Sequence, residues 1–487
     1  MTCGLRRLIC FVTLILLADG LANTALAQFG GGGGFGGGGF GGGGRGRNNR
    51  NNSGVKIDAQ GIVSLAIVND ASGLLDKKHR EAAAKQALFH DVNRLSPRRY
   101  LSLVELEKVV SDFVKQDKPI PDEAFFLAGI EQIEQIFVLP DQGDLVVAGP
   151  ADGFAPDVVG RMRGLTSGRP TLRLDDLVTA LRTASRSEVV GCSIDPVPQR
   201  LSALQQFISQ GGPATASVAE ARLKQMDDIL GLQNVRVDGV SADSHFGVSM
   251  VEADYRMKRI SMGLEMTGVK GLKSHLAMIG PGGNSMQRWW FVPLYDSISR
   301  SENGLAYQLA GQRAQLLAEE ELGDANGNRF AAATTRVSTK AFAKQFTEKF
   351  PQLVEKSPVF AELQNLIDWT ILAALIKKEH LADQVNWKME TLLDEQQLAI
   401  PTFNAARQIP SSMNYKKSGS FLVGLVGGGV IIRPQVVLKD VTVPASEALR
   451  LDSQRNDVAT AKRPDLHHWW WDSVTETDLN SESAHTP

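Results

Sequence analysis

Cysteine is nearly absent from this chain. Two of its three, Cys3 and Cys10, stand in an N-terminal stretch that reads as an export signal, so Cys192 is left alone and no internal disulfide is expected. Stability must come from packing. An excess of charge is missing too: the formal net charge is −2, and losing Arg6, Arg7 and Asp19 with the signal leaves 50 basic and 53 acidic residues. That balance removes any electrostatic case for nucleic acid or an anionic membrane surface as a partner. No G-x-S-x-G elbow, H-E-x-x-H pair, Walker loop or C-x-x-C occurs, which sets aside the motif-borne hydrolases and metalloenzymes but not enzymes with scattered residues. Long apolar runs are also scarce after the signal. FLVGLVGGGVIIRP, from Phe421, is broken by four glycines and falls short of the ~20 apolar residues of a membrane helix. It reads as two buried strands at 421–426 and 430–432, and no transmembrane anchor is expected once the signal is gone.

What is present divides the chain into five parts. Residues 1–27 carry a basic n-region, an apolar h-region and an Ala25-Leu26-Ala27 cleavage site, the pattern of a signal peptide. Residues 28–54 are a glycine-rich spacer that cannot bury a core. A first α+β domain is expected over 55–212, with helices and hairpins in alternation and a break at Gly211-Gly212-Pro213. A second α+β domain is expected over 213–445, followed by a disordered polar tail, 446–487, that holds His467-His468-Trp469-Trp470-Trp471-Asp472. The fold class is therefore α+β (mixed α/β), with helices laid on sheets.

Local signals place the elements. Ser102 and Glu105 form one capping box and Ser217 and Glu220 another, while Pro358 suits the first turn of a helix over 358–381. The organising element is a helix over 243–264. Phe246, Met250, Ala253, Met257, Ile260 and Leu264 are spaced 4, 3, 4, 3 and 4, one continuous apolar stripe. Its other face pairs Glu252 with Arg256 and Asp254 with Lys258, and is expected to be a solvated, salt-bridged surface. A metal site through His245, Glu252 and Asp254 fails on spacing, because seven residues put His245 and Glu252 about 10 Å apart along the axis. No metal and no cofactor is implied.

A strand rich in aromatics follows, in which Trp289 and Trp290 point to opposite faces. Cys192 lies in a β-type run and is expected to be a small buried apolar group rather than a nucleophile. Trp469, Trp470 and Trp471 are too costly to leave in water, so they dock on the chain's own body or on a partner. Together with Trp289, Trp290, Tyr255 and Arg256 they are the binding residues the sequence offers.

The stretches IDAQGIVSLAIVND, GLTSGRPTLRLDDLVTALR, GCSIDP, VEADYRMKRISMGLE with QRWWFVP, and SFLVGLVGGGVIIRP resemble a planctomycete family of secreted proteins that carry a domain of unknown function. The likeness spans about residues 55–434 and implies a bacterial exported protein, without bringing an activity, a catalytic residue or a cofactor. The leading expectation is a non-catalytic exported protein of the cell envelope, in the periplasm or outside, with an envelope protein or polysaccharide as partner. Two alternatives stand beside it: a periplasmic hydrolase using scattered carboxylates such as Asp195 or Asp254, and a ligand-binding module without chemistry.

Overall fold

The computed structural model describes residues 54–66, 74–85, 92–210, 218–280, 285–323, 326–418, 420–461 and 468–473. The signal at 1–27, the spacer apart from Gly54, the Ser217 end of the second capping box and residues beyond 473 lie outside them. Two large sheets and the helices around them make the fold mixed α+β.

The larger sheet runs, in spatial order, Arg329–Ala331, Arg313–Gly323, Ser285–Leu294, Ser420–Ile432, Val190–Asp195, Leu232–Asp238 and Gln408–Pro410, with Asn414–Ser418 also paired to Ser420–Ile432. The contact of Ser285–Leu294 with Ser420–Ile432 is parallel and its neighbours are antiparallel. The second sheet runs Val441–Thr442, Ser297–Arg300, Ala306–Ala310, Gln135–Leu139, Asp144–Ala151, Ser96–Ser102 and Trp470–Asp472. Each sheet takes strands from both sides of Gly212.

The run from Phe421 forms one strand, Ser420–Ile432, in place of the two expected. Its glycines explain the continuity: Gly428 has φ +144°, and a Cβ there would sit 1.5 Å from the Trp289 carbonyl oxygen of the adjacent strand. Only glycine lets the two backbones meet so closely.

The helix His245–Ser261, here the central helix, starts where the Ser244 side chain accepts from the Gly247 N–H and stops before Gly263, which has φ +69°. It lies against Val190–Asp195 and Ser420–Ile432 on one side and two helices on the other. These are Leu174–Ala184 and Pro358–Lys378. Pro358–Lys378 is long and apolar enough to cross a membrane, with mean hydropathy 1.4, yet 94% of that window is buried inside the protein. Apolar on all sides, it serves as the core helix against which the other two pack.

Past Ser446 the described chain is ordered around hydrophobic anchors. The helix Ala445–Thr460 buries Ala448, Leu451 and Val458 against the second sheet. Trp470–Asp472 then pairs antiparallel with Ser96–Ser102 at that sheet's edge.

Candidate functional site

The central helix carries more than its apolar stripe. His245, Ser249, Glu252 and Arg256, spaced 4, 3 and 4, fall within about 60° of one another at 100° per residue. Asp254 and Lys258 fall on the opposite flank. The expectation of a solvated charged face is overturned: Glu252, Asp254 and Lys258 are 0% exposed and His245 2%. The reason is coverage. With a sheet on one flank and two helices on the other, only Arg256 and Arg259 of these 17 residues keep partial access to solvent.

The flank facing the helices joins a buried ionic network. Arg161 donates through Nε to Glu362 Oε1 at 2.7 Å and through Nη2 to Glu252 Oε2 at 2.9 Å. Glu362 lies 3.7 Å from His245 Nε2, and His245 Nδ1 lies 2.9 Å from Asp176 Oδ2. Asp175 next to it takes a two-pronged bond from Arg173, at 2.9 and 2.6 Å. Arg256 stands 3.5 Å from Glu252, and the Gly54 N–H donates to the same carboxylate at 2.9 Å. Four carboxylates (Glu252, Glu362, Asp175, Asp176) thus meet four cations (Arg161, Arg173, Arg256 and protonated His245). Within this group the formal charges cancel, the condition under which buried ions are tolerated. The 10 Å between His245 and Glu252 that rules out a shared metal ion is spanned here by Glu362 and Arg161. Among the described residues no cluster of three or more His, Cys, Asp or Glu has the geometry to hold a metal ion.

Within the network, Ser249 Oγ sits 3.3 Å from His245 Nε2 while Nδ1 faces Asp176, the spatial order of a serine nucleophile, its base and the base's orienting acid. The electrostatics differ from such a site. Burial and Arg173 push the His245 pKa down, but Asp176 and Glu362 outweigh them and raise it from 6.5 to about 9. Burial raises the Glu362 pKa, yet Arg161 and His245 pull it from 4.5 down to about 2. An imidazole already protonated at neutral pH has no lone pair with which to take a proton from Ser249. Ser249 itself is 0% exposed.

On the sheet flank, Lys258 Nζ donates to Asp254 at 2.7 Å and to the Ile194 carbonyl at 3.1 Å. Burial raises the Asp254 pKa to about 6 despite that lysine. Cys192 is close by and buried; loss of solvent, then Asp254, hold its thiol far above the usual range, so the nucleophilic thiolate does not form at neutral pH. Asp195, the other acid considered for catalysis, is bound by Arg329 at 2.6 Å.

The C-terminal ends of the two covering helices open to solvent. A cleft of ≈ 670 Å³ lies where the C-terminal halves of Leu174–Ala184 and Pro358–Lys378 meet the start of the central helix. Ala180, Val190, Phe246, Ala374 and Leu438 supply apolar lining, and Thr183, Thr370 and Ser187 add hydroxyls. Lys377, Lys378, Lys439, His380 and Glu188 stand exposed around it. A smaller cleft near Phe154 and Met162 has Asp122 in its lining. Neither cleft has two carboxyl groups in its lining.

The residues singled out from sequence are dispersed. Trp289 is fully buried, its ring edge-on to Phe342 at 4.8 Å and to His275 at 5.1 Å. Trp290, on the other face, is half-buried with Arg288 over its ring at 5.7 Å. Tyr255 is buried beneath Arg259, and Arg256 also reaches Glu265 at 2.7 Å. Trp469, Trp470 and Trp471 are buried in the chain's own body. Trp471 stacks on Tyr100 at 5.6 Å, and Trp470 lies under Arg99 at 4.7 Å while its Nε1 donates to Glu123 at 2.6 Å. None of these seven lines the large cleft.

The network residues the sequence reading passed over were Arg161, Arg173, Asp175, Asp176 and Glu362. One signal was available. Glu362, Gln364, Asn365 and Asp368 interrupt a helix that is otherwise apolar all round, and charged groups in such a helix are stable only with internal partners.

Residues 192–275 match a family described as "Protein of unknown function (DUF1598)". The matched span holds Cys192 and the whole central helix, with His245, Ser249, Glu252, Asp254 and Lys258, and excludes Arg161, Asp176 and Glu362. No curated protein and no solved structure matches the chain.

Proposed function

We propose that this is an exported, non-catalytic binding protein of the cell envelope, which holds a ligand in the cleft between Leu174–Ala184 and Pro358–Lys378. The observation that carries the reading is the cleft itself. Its ≈ 670 Å³ falls within the ~300–1,000 Å³ range of ligand pockets, with an apolar lining and a few polar groups converging on it. The buried network acts as the frame that fixes the three helices around it, because its charges are spent on one another. The pattern at 1–27 supports export, and the glycine-rich composition of 28–54 supports a spacer role for that stretch.

The test is a titration with Nile red, a neutral apolar dye, against the mature chain and against Ala374→Trp, which fills the cleft from a half-buried position. Saturable one-to-one binding by the native chain, lost in the variant at unchanged melting temperature, is the expected result. Absence of saturable binding, or equal binding by both chains, would sink the reading.

A further inference from the structure

We infer that the turn at 164–169 is a proton-controlled latch, closed while Glu131 carries a proton and released once Glu131 and Asp152 are both charged.

The two acids are fixed side by side. An antiparallel bridge of Ile130 with Ala151 places Glu131 and Asp152 on one face of adjoining segments, opposite to the bridged pair. Both are buried, at 3% and 2% exposed. The turn folds over them: the Thr166 and Ser167 N–H groups donate to Asp152 Oδ2 at 2.6 and 2.9 Å, and the Ser167 hydroxyl donates to Glu131 Oε1. Gly164 begins the turn because a larger residue has no room there. Glu131 Oε1, Ser167 Oγ and Asp152 Oδ2 all lie within 3.0 Å of the place its Cβ would take.

No cation compensates this pair. Arg161 and Arg163 are spent on Glu252, Glu362, Asp76 and Asp157, and Arg169 donates to Gln364 Oε1 at 2.9 Å. Among the described residues no ion pair reaches either acid. Two buried carboxyl groups so close together, with no paired cation, leave one of them protonated. Asp152 has two N–H donors to serve a charge, whereas Glu131 has one hydroxyl. Burial raises the Glu131 pKa from 4.5 to about 7; Ser167 and Arg169 oppose this only in part, and Asp152 adds to it. The charged groups facing Glu131 are therefore Asp152 and, from the turn, Arg169. Behind Arg169 stand Arg313 and Asp368, paired with each other at 3.1 Å, and Glu355. Opening the turn admits water to Glu131 and lets its pKa fall back toward 4.5, so loss of the proton favours the open form. The latch also bears on the smaller cleft, since the turn continues Met162–Gly164, and Met162 and Phe154 of the paired strand line that cleft.

The measurement is hydrogen–deuterium exchange of peptides spanning 164–169, in the native chain and in Glu131→Gln, from pH 5 to pH 8 and corrected for the intrinsic rate. A pKa of about 7 closed against 4.5 open makes opening of the native turn rise about 70-fold over that range, most of it below pH 7. Amides of the central helix, followed in the same samples, report global unfolding and should not share the rise. Glu131→Gln keeps the shape of the neutral acid but cannot ionise, so its turn should stay closed and flat with pH. Corrected exchange of the native turn that does not change with pH, or a rise of equal size in Glu131→Gln, would overturn the inference. Should Glu131→Gln fail to fold, the native chain decides alone: a rise confined to the turn supports the latch, and a rise shared with the central helix overturns it.

Discussion

Arg161 is the residue on which the network's charge balance turns, because among the described residues it alone pairs with both Glu252 and Glu362. Arg161→Met keeps most of the side-chain volume but leaves two carboxylates facing each other in a dry site. It is expected to lower unfolding free energy by about 3–5 kcal/mol in urea titrations, the range for breaking one member of a buried ion pair. The flanking groups give the network a pH window of its own. His245 has a folded pKa of about 9 against 6.5, so its contribution is complete below pH 6.5 and lost as pH rises through 9. Glu362 has a folded pKa of about 2 against 4.5, so its contribution is complete above pH 4.5 and lost as pH falls through 2. Each shift corresponds to about 3 kcal/mol. Urea midpoints measured from pH 5 to 10 should decline on the alkaline side, and His245→Gln should be less stable at pH 6 and lack most of the decline between pH 7 and 9, while both chains share the loss below pH 7 that comes from Asp254, raised to about 6. An equal alkaline decline in the variant would assign the effect elsewhere.

At the scale of elements, much was legible in the sequence. The apolar stripe from Phe246 to Ile260, the Ser102 cap and the alternation of Trp289 with Trp290 all report local geometry, which chain-local spacing encodes; Leu264, expected to continue the stripe, lies past the helix end at Ser261 and is exposed. The fate of the polar stripes was not legible, because it depends on partners far away in sequence. Glu252 pairs with Arg161, 91 positions away, and the i,i+4 pairs looked the same as those on any solvated helix. The Ser420–Ile432 strand was misread as two for a related reason: a glycine run looks like a break until a neighbouring backbone needs the room. Gly428→Ala is expected to destabilise the protein by about 3 kcal/mol, since alanine resists φ +144° and its methyl would overlap the Trp289 carbonyl. Thermal melts of Gly428→Ala beside an alanine substitution at Gly271, where a Cβ meets nothing within 4 Å but φ is also positive, at +83°, separate the overlap from the backbone term.

For the molecule as a whole, the two sheets and the ionic network tie together segments that a linear division at Gly212 keeps apart. Val190–Asp195 finds its neighbours in Leu232–Asp238 and Ser420–Ile432, both later in the chain. Arg161, Arg173, Asp175 and Asp176 precede that division, while His245, Glu252 and Glu362 follow it. A fragment of residues 55–212 would expose both edges of Val190–Asp195 and leave Arg161 without Glu252 and Glu362, its acids from the later segments. Expressed alone it should give a circular dichroism melt without a cooperative transition, whereas the full chain should unfold in a single one reported equally by tryptophan fluorescence and far-ultraviolet signal. Two separated transitions in the full chain, or a cooperative melt of the fragment, would mean that the sheets hold together without their later strands. The charge network would then be a seam between independently stable parts, and Arg161→Met would shift only one of the two transitions.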